Sequence, residues 1–209
     1  MKRILFLFAL LFPFVALGIS VRIAFNEWII DYIYAKKDFP EDIYGLPEEY
    51  RKGLAKLGLR AVLSDEAFEE FKKAELPDGT KAFNAREIEH MHDVKVFLKR
   101  FFPAVYVATF LWLLGFLILR SAHYLILSGF LGILILSILG VLVFTNYERA
   151  FEIFHIITFD PYSWRFFYTD TLIRIYPMKF WYEATKVVAI MSFILSATVL
   201  LLGLIWKRI

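Results

Sequence analysis

The sequence predicts an all-α integral membrane protein with four transmembrane helices and an extracytoplasmic, mostly helical cap. Hydrophobic residues make up 59% of the 209 residues, and they are gathered into long uncharged runs. Each run reaches the roughly 18 residues that a helix needs to cross about 30 Å of hydrocarbon. We predict a single membrane domain, 1–209, with spans at 4–25, 101–119, 123–145 and 187–206 and with extracytoplasmic segments at 26–100 and 146–186.

The first apolar run could be a cleaved secretory signal or an uncleaved anchor helix. Lys2 and Arg3 precede it, and Ala16-Leu17-Gly18 offers small residues at cleavage-like spacing. The run outlasts a usual signal core, so we favour an anchor helix with a kink at Pro13.

The distribution of charge predicts the orientation in the membrane. All 21 acidic residues fall on one side of the predicted spans. The other side is flanked only by basic residues, namely Lys2, Arg3, Arg120, Lys207 and Arg208. Because cytoplasmic flanks carry an excess of Lys and Arg, we predict that both termini are cytoplasmic. The net charge of +3 then reflects topology and does not indicate a nucleic-acid partner.

The chain contains no cysteine, which limits the chemistry that it can perform. Disulfides, Fe-S clusters, cysteine zinc sites and thiol nucleophiles are excluded. Catalysis would have to use histidine, carboxylate, hydroxyl or arginine groups, and we predict no cofactor and no bound metal.

Segment 26–100 contains three predicted helix starts. Pro47-Glu48-Glu49 begins one helix, which Gly58 would end, and Ser64-Asp65-Glu66 begins another. Asn84, with Glu87 three residues later, resembles a capping box. No helix breaker follows before the second apolar run, so we expect this third helix to continue into the second span.

Segment 146–186 is rich in aromatic residues, which number 13 among the 36 residues from Tyr147 to Tyr182. Aromatic side chains favour the headgroup zone of a bilayer, where an apolar ring meets a polar tip. We therefore expect this segment to lie in the membrane interface.

Two of the four histidines are candidate catalytic residues. His90 and His92 would point about 200° apart on a helix, so they cannot serve one site together. Asp93 shares the face of His90 and could fix the tautomer of its imidazole. His92 is the poorer candidate.

His155 follows the predicted third span, and on a helix it would share its face with Glu152 and Glu148. The topology places His90 and His155 on the same side, each within about two or three helical turns of a bilayer boundary. They could converge as an acid/base pair, since an unperturbed imidazole titrates at about 6.5. A purely structural role for either ring is the alternative.

Two motifs resemble the bacterial lipoprotein intramolecular transacylase (Lit) family. They are REIEHMHDVK at 86–95 and FHIITFDPYSWRFFYTDTLIRIYPMKFW at 154–181. The residues that match the family pattern are Arg86, Glu87, His90, Met91, Asp93, Val94 and Lys95, then Phe154, His155, Trp164, Asp170, Leu172, Ile173 and Pro177.

The resemblance implies an acyltransferase of the bacterial cytoplasmic membrane. Such proteins move the sn-2 acyl chain of a diacylglyceryl-cysteine lipoprotein to its N-terminal amine, which gives a lyso-form lipoprotein. The expected catalytic pair is His90 and His155, on the extracytoplasmic side. Amine and ester belong to one molecule, so no covalent acyl-enzyme is needed. The expected partners are the diacylated lipoprotein and the lipid bilayer, and we expect a monomer.

Four further residues are predicted to bind substrate. Arg86 could contact the carbonyl or oxyanion, or form a salt bridge to Glu89, or bind a headgroup phosphate. Asp93 and Asp170 could orient an imidazole or grip the substrate ammonium, and Asp170 could equally cap a short helix. Trp164 could equally serve interface packing.

Other functions compete with this interpretation. A membrane metallohydrolase of lipid substrates could use His90, His155 and Asp93 as zinc ligands. An acyl-enzyme could form at Ser163. From outside enzymology, the chain could be a non-catalytic membrane assembly or chaperone subunit.

Overall fold

A computed structural model describes residues 7–160 and 162–208, in which α-helices dominate and one isolated antiparallel bridge joins Glu75 to Lys81. The predicted span residues 4–6 and the flanking Lys2 and Arg3 lie outside this range. The helices are α1 (Phe12–Ala24), α2 (Glu27–Tyr34), α3 (Glu48–Ala61), α4 (Asp65–Lys73), α5 (Ala85–Leu119), α6 (Ala122–Thr145), α7 (Tyr147–Thr158), α8 (Thr171–Ile175) and α9 (Met178–Arg208).

Four helices in the described ranges are long and apolar enough to cross a membrane: Leu7–Ala24, Ala85–Leu119, Ala122–Thr145 and Met178–Arg208. The predicted all-α membrane fold is confirmed. Helix α5 runs from Ala85 into the second span, as predicted from the absence of a helix-breaking residue before the second apolar run. Helix α9 begins before the predicted start at 187, because an apolar run marks the part that suits hydrocarbon and not the whole helix.

Among the described residues, one compact unit comprises 7–24, 101–146 and 185–208. Polar side chains in its core are hydrogen-bonded to a side chain or to the backbone within the same unit. The indole of Trp112 donates to the hydroxyl of Ser128 at 3.0 Å, and the hydroxyl of Tyr124 donates to the carbonyl of Trp112 at 2.7 Å. These bonds satisfy polar groups that water cannot reach.

Small residues let α6 and α9 approach closely within this unit. A Cβ added to Gly129 would lie 2.4 Å from the backbone nitrogen of Leu200, and one added to Gly132 would lie 2.5 Å from the hydroxyl of Ser196. Close backbone approach at such residues is the usual way in which membrane helices pack.

The second unit comprises residues 25–100 and 147–184. A buried arginine ties its loops together. Arg51 donates to the carbonyl of Arg174 at 3.0 and 2.8 Å and to the carbonyl of Pro40 at 3.0 Å. The guanidinium of Arg174 in turn binds Asp42 through two bonds of 3.0 Å. The loop before α3 is therefore fixed to α8.

The predicted boundaries of the helices in this unit hold with one exception. Helix α4 begins at Asp65, and Ser64 caps it by accepting from the amide of Ala67. The predicted end of α3 at Gly58 is wrong, because the helix continues to Ala61. A Cβ at Gly58 would lie 3.0 Å from the hydroxyl of Tyr176, so this glycine provides space and does not end the helix.

Candidate active site

The structure brings His90 of α5 and His155 of α7 together. Their ring centroids lie 5.8 Å apart with an interplanar angle of 28°. Each residue is 8% exposed. One small reacting group could therefore contact both imidazoles, which is the first geometric requirement of an acid/base pair.

Aromatic rings surround the two histidines. Phe159 lies 5.1 Å from His90 and 5.4 Å from His155, and Phe166 lies 5.4 Å from His90. Phe151 packs at 4.1 Å from His155. Burial in this apolar setting lowers the pKa of His90 to about 4, with a smaller contribution from His155, and burial also lowers the pKa of His155. Both imidazoles are therefore neutral at neutral pH.

A backbone carbonyl orients the ring of His155. Its Nδ1 lies 2.8 Å from the carbonyl oxygen of Phe151. A carbonyl can only accept, so Nδ1 carries the proton and Nε2 is left with a lone pair. Glu152, which was expected to share the face of His155, forms an ion pair with Arg149. Along α7, the carbonyl four residues earlier is the nearer partner.

A buried carboxylate fixes the start of α5, one turn before His90. Glu87 is 1% exposed and accepts from the amides of Asn84 and Leu172, both at 2.7 Å. The side-chain oxygen of Asn84 in turn accepts from the amide of Glu87 at 3.1 Å, which completes the reciprocal capping pair. The capping box is confirmed. The bond to Leu172 was not predicted, since nothing in the local sequence indicates a partner so distant in the chain.

Arg86 and Asp170 form an ion pair beside the aromatic rings. Arg86 Nη2 donates to Asp170 at 3.0 Å, and Asp170 also accepts from the side chain of Asn84 at 3.0 Å and the amide of Phe167 at 2.8 Å. The guanidinium carbon of Arg86 lies 5.8 Å from the ring of Phe166. Of the alternatives considered for Arg86, the salt bridge to Glu89 is not the one formed, because the guanidinium pairs with Asp170 instead. Asp170 occupies the N-cap position of α8 without a side-chain cap bond.

Asp93 does not orient His90. No hydrogen bond joins the two side chains, and Nδ1 of His90 is buried without a partner among the residues that the structure describes. Asp93 is only half-buried, and a carboxylate beside the enclosed ring would lose its hydration. His92 is exposed and packs 6.0 Å from Phe68, away from His90, as the helical spacing predicted.

The segment after α7 brings Ser163 and Trp164 to this region. Trp164 lies 5.1 Å from His155. Its Nε1 is buried without a partner in the described ranges. Ser163 is 2% exposed, and its hydroxyl donates to the carbonyl of Asp160 at 3.2 Å. In the part of the chain that is described, no group of three or more His, Cys, Asp or Glu could hold a metal ion.

Comparison with known proteins identifies the family of this chain. Residues 6–181 match the model of the family described as lipoprotein intramolecular transacylase Lit. An uncharacterized protein of Aquifex aeolicus is 54% identical over 99% of this chain and 96% of its own length.

Solved structures of the membrane integral lipoprotein intramolecular transacylase Lit from Bacillus cereus share the fold. One has a TM-score of 0.71 at 20% identity and covers 100% of this chain and 98% of its own. A variant with one histidine replaced by alanine has a TM-score of 0.68 at 19% identity, with 100% and 95% coverage. The chain thus belongs to the Lit family of lipoprotein intramolecular transacylases and is a multi-pass integral membrane acyltransferase of that family.

Proposed function

We propose that this protein moves the sn-2 acyl chain of a diacylglyceryl-cysteine lipoprotein to the lipoprotein's own N-terminal amine, which gives a lyso-form lipoprotein. The catalysts are His90 and His155. The observation that supports this most strongly is the pair of buried imidazoles, 5.8 Å apart, in a chain of this family.

The reaction needs no second substrate. The amine nitrogen attacks the sn-2 carbonyl carbon, and a tetrahedral intermediate forms. When it collapses, the carbon–oxygen bond to the glyceryl group breaks, and the new amide remains on the same molecule. One proton leaves the amine and one proton enters the glyceryl oxygen, so the overall reaction is an isomerisation. Holding amine and ester together can supply up to about 7 to 11 kcal/mol of barrier reduction.

His155 is the base in this proposal. The bond from its Nδ1 to the Phe151 carbonyl leaves the Nε2 lone pair free to take the amine proton. His90 is the acid. His155 passes the proton to His90, and this transfer costs free energy because the pKa of His90 is lowered; for the same reason, protonated His90 readily delivers the proton to the departing glyceryl oxygen. General catalysis of this kind typically contributes about 10² to 10⁴ in rate.

Four residues position the substrate in this proposal. Arg86 contacts the ester region, and Asp170 holds the guanidinium in place through their ion pair. Asp93 shares the side of α5 that carries His90, and its half-buried carboxylate forms no hydrogen bond with that ring, so it remains available to the substrate ammonium. Trp164 lies against His155.

The oligomeric state, the location and the orientation of the protein are also part of this proposal. The protein acts as a monomer in the bacterial cytoplasmic membrane on a lipoprotein that shares the bilayer. Both termini are cytoplasmic, and the histidines face the extracytoplasmic side. No covalent acyl-enzyme forms, because the attacking amine is already tethered to the ester. Ser163 therefore has no chemical role, which agrees with its buried hydroxyl bound to Asp160.

A crossover experiment with purified protein tests the reaction. Two synthetic diacylglyceryl-cysteine peptides are mixed, one of which carries deuterated sn-2 chains and a distinct peptide sequence. We expect peptides of unchanged mass whose fragment ions carry the acyl chain on the N-terminus, without exchange between the two peptides. Ser163→Ala protein should give the same product.

Other products would contradict the proposal. Exchange of chains between the peptides would indicate a released acyl intermediate. Free fatty acid whose release a chelator abolishes would indicate a metallohydrolase. No product from well-folded protein would indicate a non-catalytic subunit.

A further inference from the structure

Three buried side-chain nitrogens have no hydrogen-bond partner within the described ranges, and they lie in one cluster. They are Nε of Arg86, Nδ1 of His90 and Nε1 of Trp164. Ring contacts join their residues in sequence: Trp164 to His155 at 5.1 Å, His155 to His90 at 5.8 Å, and His90 to Phe166 at 5.4 Å. Arg86 completes the cluster at 5.8 Å from Phe166.

Three unpartnered buried nitrogens in one cluster indicate that a ligand binds there. A buried donor without a partner costs about 1 to 3 kcal/mol, and native structures contain few of them. Three such nitrogens, in a cluster that contains both histidines, indicate groups that form hydrogen bonds when substrate is bound.

The chemistry of the nitrogens indicates what that ligand presents. The Nε of Arg86 and the indole Nε1 of Trp164 can only donate. Their partners must be oxygen acceptors, such as a carbonyl or the oxyanion that develops from it, and cannot be the substrate ammonium.

The donor of Arg86 is held in place. Its Nη2 is bound to Asp170, which is itself fixed by Asn84 and by the amide of Phe167. The indole of Trp164 is held against His155. Both donors therefore require little reorganisation when charge develops, which is the condition for effective stabilisation of an oxyanion.

We propose that the indole N–H of Trp164 and the Nε–H of Arg86 form the oxyanion site of this enzyme and bind the carbonyl oxygen of the reacting sn-2 ester. This rests on the proposed function. As the amine nitrogen bonds to the carbonyl carbon, the pair of electrons moves to this oxygen, and the two donors hydrogen-bond to it without transferring a proton. The charge returns to the carbonyl bond when the glyceryl oxygen departs.

Kinetics of Trp164→Phe protein test the assignment. Phenylalanine keeps an aromatic ring against His155 but removes the N–H. We expect kcat to fall about 10²-fold, as for loss of one oxyanion donor, with KM changed less than about threefold. Trp181→Phe is the matched control, since Trp181 packs 6.2 Å from Phe151 but has no ring contact with either histidine. Its kcat should stay within about twofold of the wild-type value. Unchanged kcat in Trp164→Phe would overturn the proposal.

A spectroscopic readout separates this proposal from the proposed function. The probe is an N-acetylated diacylglyceryl-cysteine peptide, which has both ester carbonyls but no free amine to attack. We expect the ¹⁵N-indole N–H resonance of Trp164, assigned by its absence in Trp164→Phe, to move downfield when the probe binds. The dialkyl-ether analogue, which lacks carbonyls, should bind without this change. An unmoved resonance, or equal movement with the ether, would refute the oxyanion site even if wild-type protein makes the N-acyl product. If wild-type protein makes no such product, the proposed function fails instead.

Discussion

His90 and His155 acquire their chemical states from different neighbours. His155 has a defined tautomer because a single helical turn places the Phe151 carbonyl at Nδ1. His90 has no such partner, and its enclosure by Phe159 and Phe166 keeps it neutral. Two identical side chains thereby become suited to different steps of proton transfer, since environment decides which of two like groups acts as base.

The pH dependence of the rate follows from the lowered pKa values. An imidazole with a lowered pKa stays unprotonated as pH falls through 6.5, so His90 takes up a proton only near its pKa of about 4. The substrate amine, with a reference pKa of about 7.7 to 8.0, is then the main group that titrates in the neutral range. Burial also lowers the pKa of His155 below 6.5. We therefore expect log kcat/KM to rise with a slope near one between about pH 6.5 and 7. A slope well above one in this window, measured with purified protein, would show that an imidazole also titrates there.

The sequence predicted that His90 and His155 come together, but it did not predict the hydrogen-bond partners of the candidate site residues. Helical spacing separated His90 from His92, and that separation is observed. The partner of Arg86 was missed because Asp170 is 84 residues away in the chain, beyond any local pattern. Helical spacing places Asp93 on the same face as His90, but spacing does not include the cost of placing a carboxylate against aromatic rings.

The start of α5 determines where His90 lies. Replacing Glu87 with alanine would leave the amides of Asn84 and Leu172 without their acceptor, and the bond to Leu172 is buried. We expect a loss of about 2 kcal/mol in the free energy of unfolding, together with reduced activity. Glu89→Ala is the matched control, because Glu89 is exposed on the same helix. Equal thermal stability of the two variants in detergent would show that the cap does not support α5.

The close packing of α6 against α9 depends on the absence of a side chain at Gly129. Gly129→Ala would place a Cβ 2.4 Å from the backbone of Leu200, whereas Gly140→Ala meets nothing within 4 Å. We expect the first variant to lose about 1 to 3 kcal/mol of stability, since overpacking forces the helices apart, and the second to be unaffected. Thermal unfolding followed by fluorescence-detected chromatography distinguishes them. Similar midpoints would mean that α6 and α9 do not pack as described.

The four spans could be predicted because the thickness of the hydrocarbon layer fixes the length of an apolar helix that crosses it. The bounds of the polar segments were harder to predict. Gly58 reads as a stop in isolation, yet its role depends on Tyr176, which lies far along the chain. Helix α9 begins inside a charged stretch, where Lys179 pairs with Asp38, which lies 141 residues away in the chain. Such distant contacts have no signature in a local pattern.

The predicted orientation can be tested with the cysteine-free chain, which gives no background labelling. Single substitutions Lys73→Cys and His123→Cys lie at exposed positions on opposite sides of the predicted topology. In intact spheroplasts, we expect a membrane-impermeant maleimide to label Lys73→Cys, and to label His123→Cys only after lysis. The reverse pattern would place the termini outside.

Quantitative conversion of a synthetic diacylglyceryl-cysteine peptide by His90→Ala, His155→Ala and His92→Ala proteins tests whether the two imidazoles catalyse the reaction. All three must first show the wild-type elution profile and helical circular dichroism. We predict that the first two form less than about 1% of the N-acyl product, whereas His92→Ala, whose side chain is exposed, remains largely active. Wild-type conversion by folded His90→Ala or His155→Ala protein would contradict the central claim that the two imidazoles act as one catalytic pair.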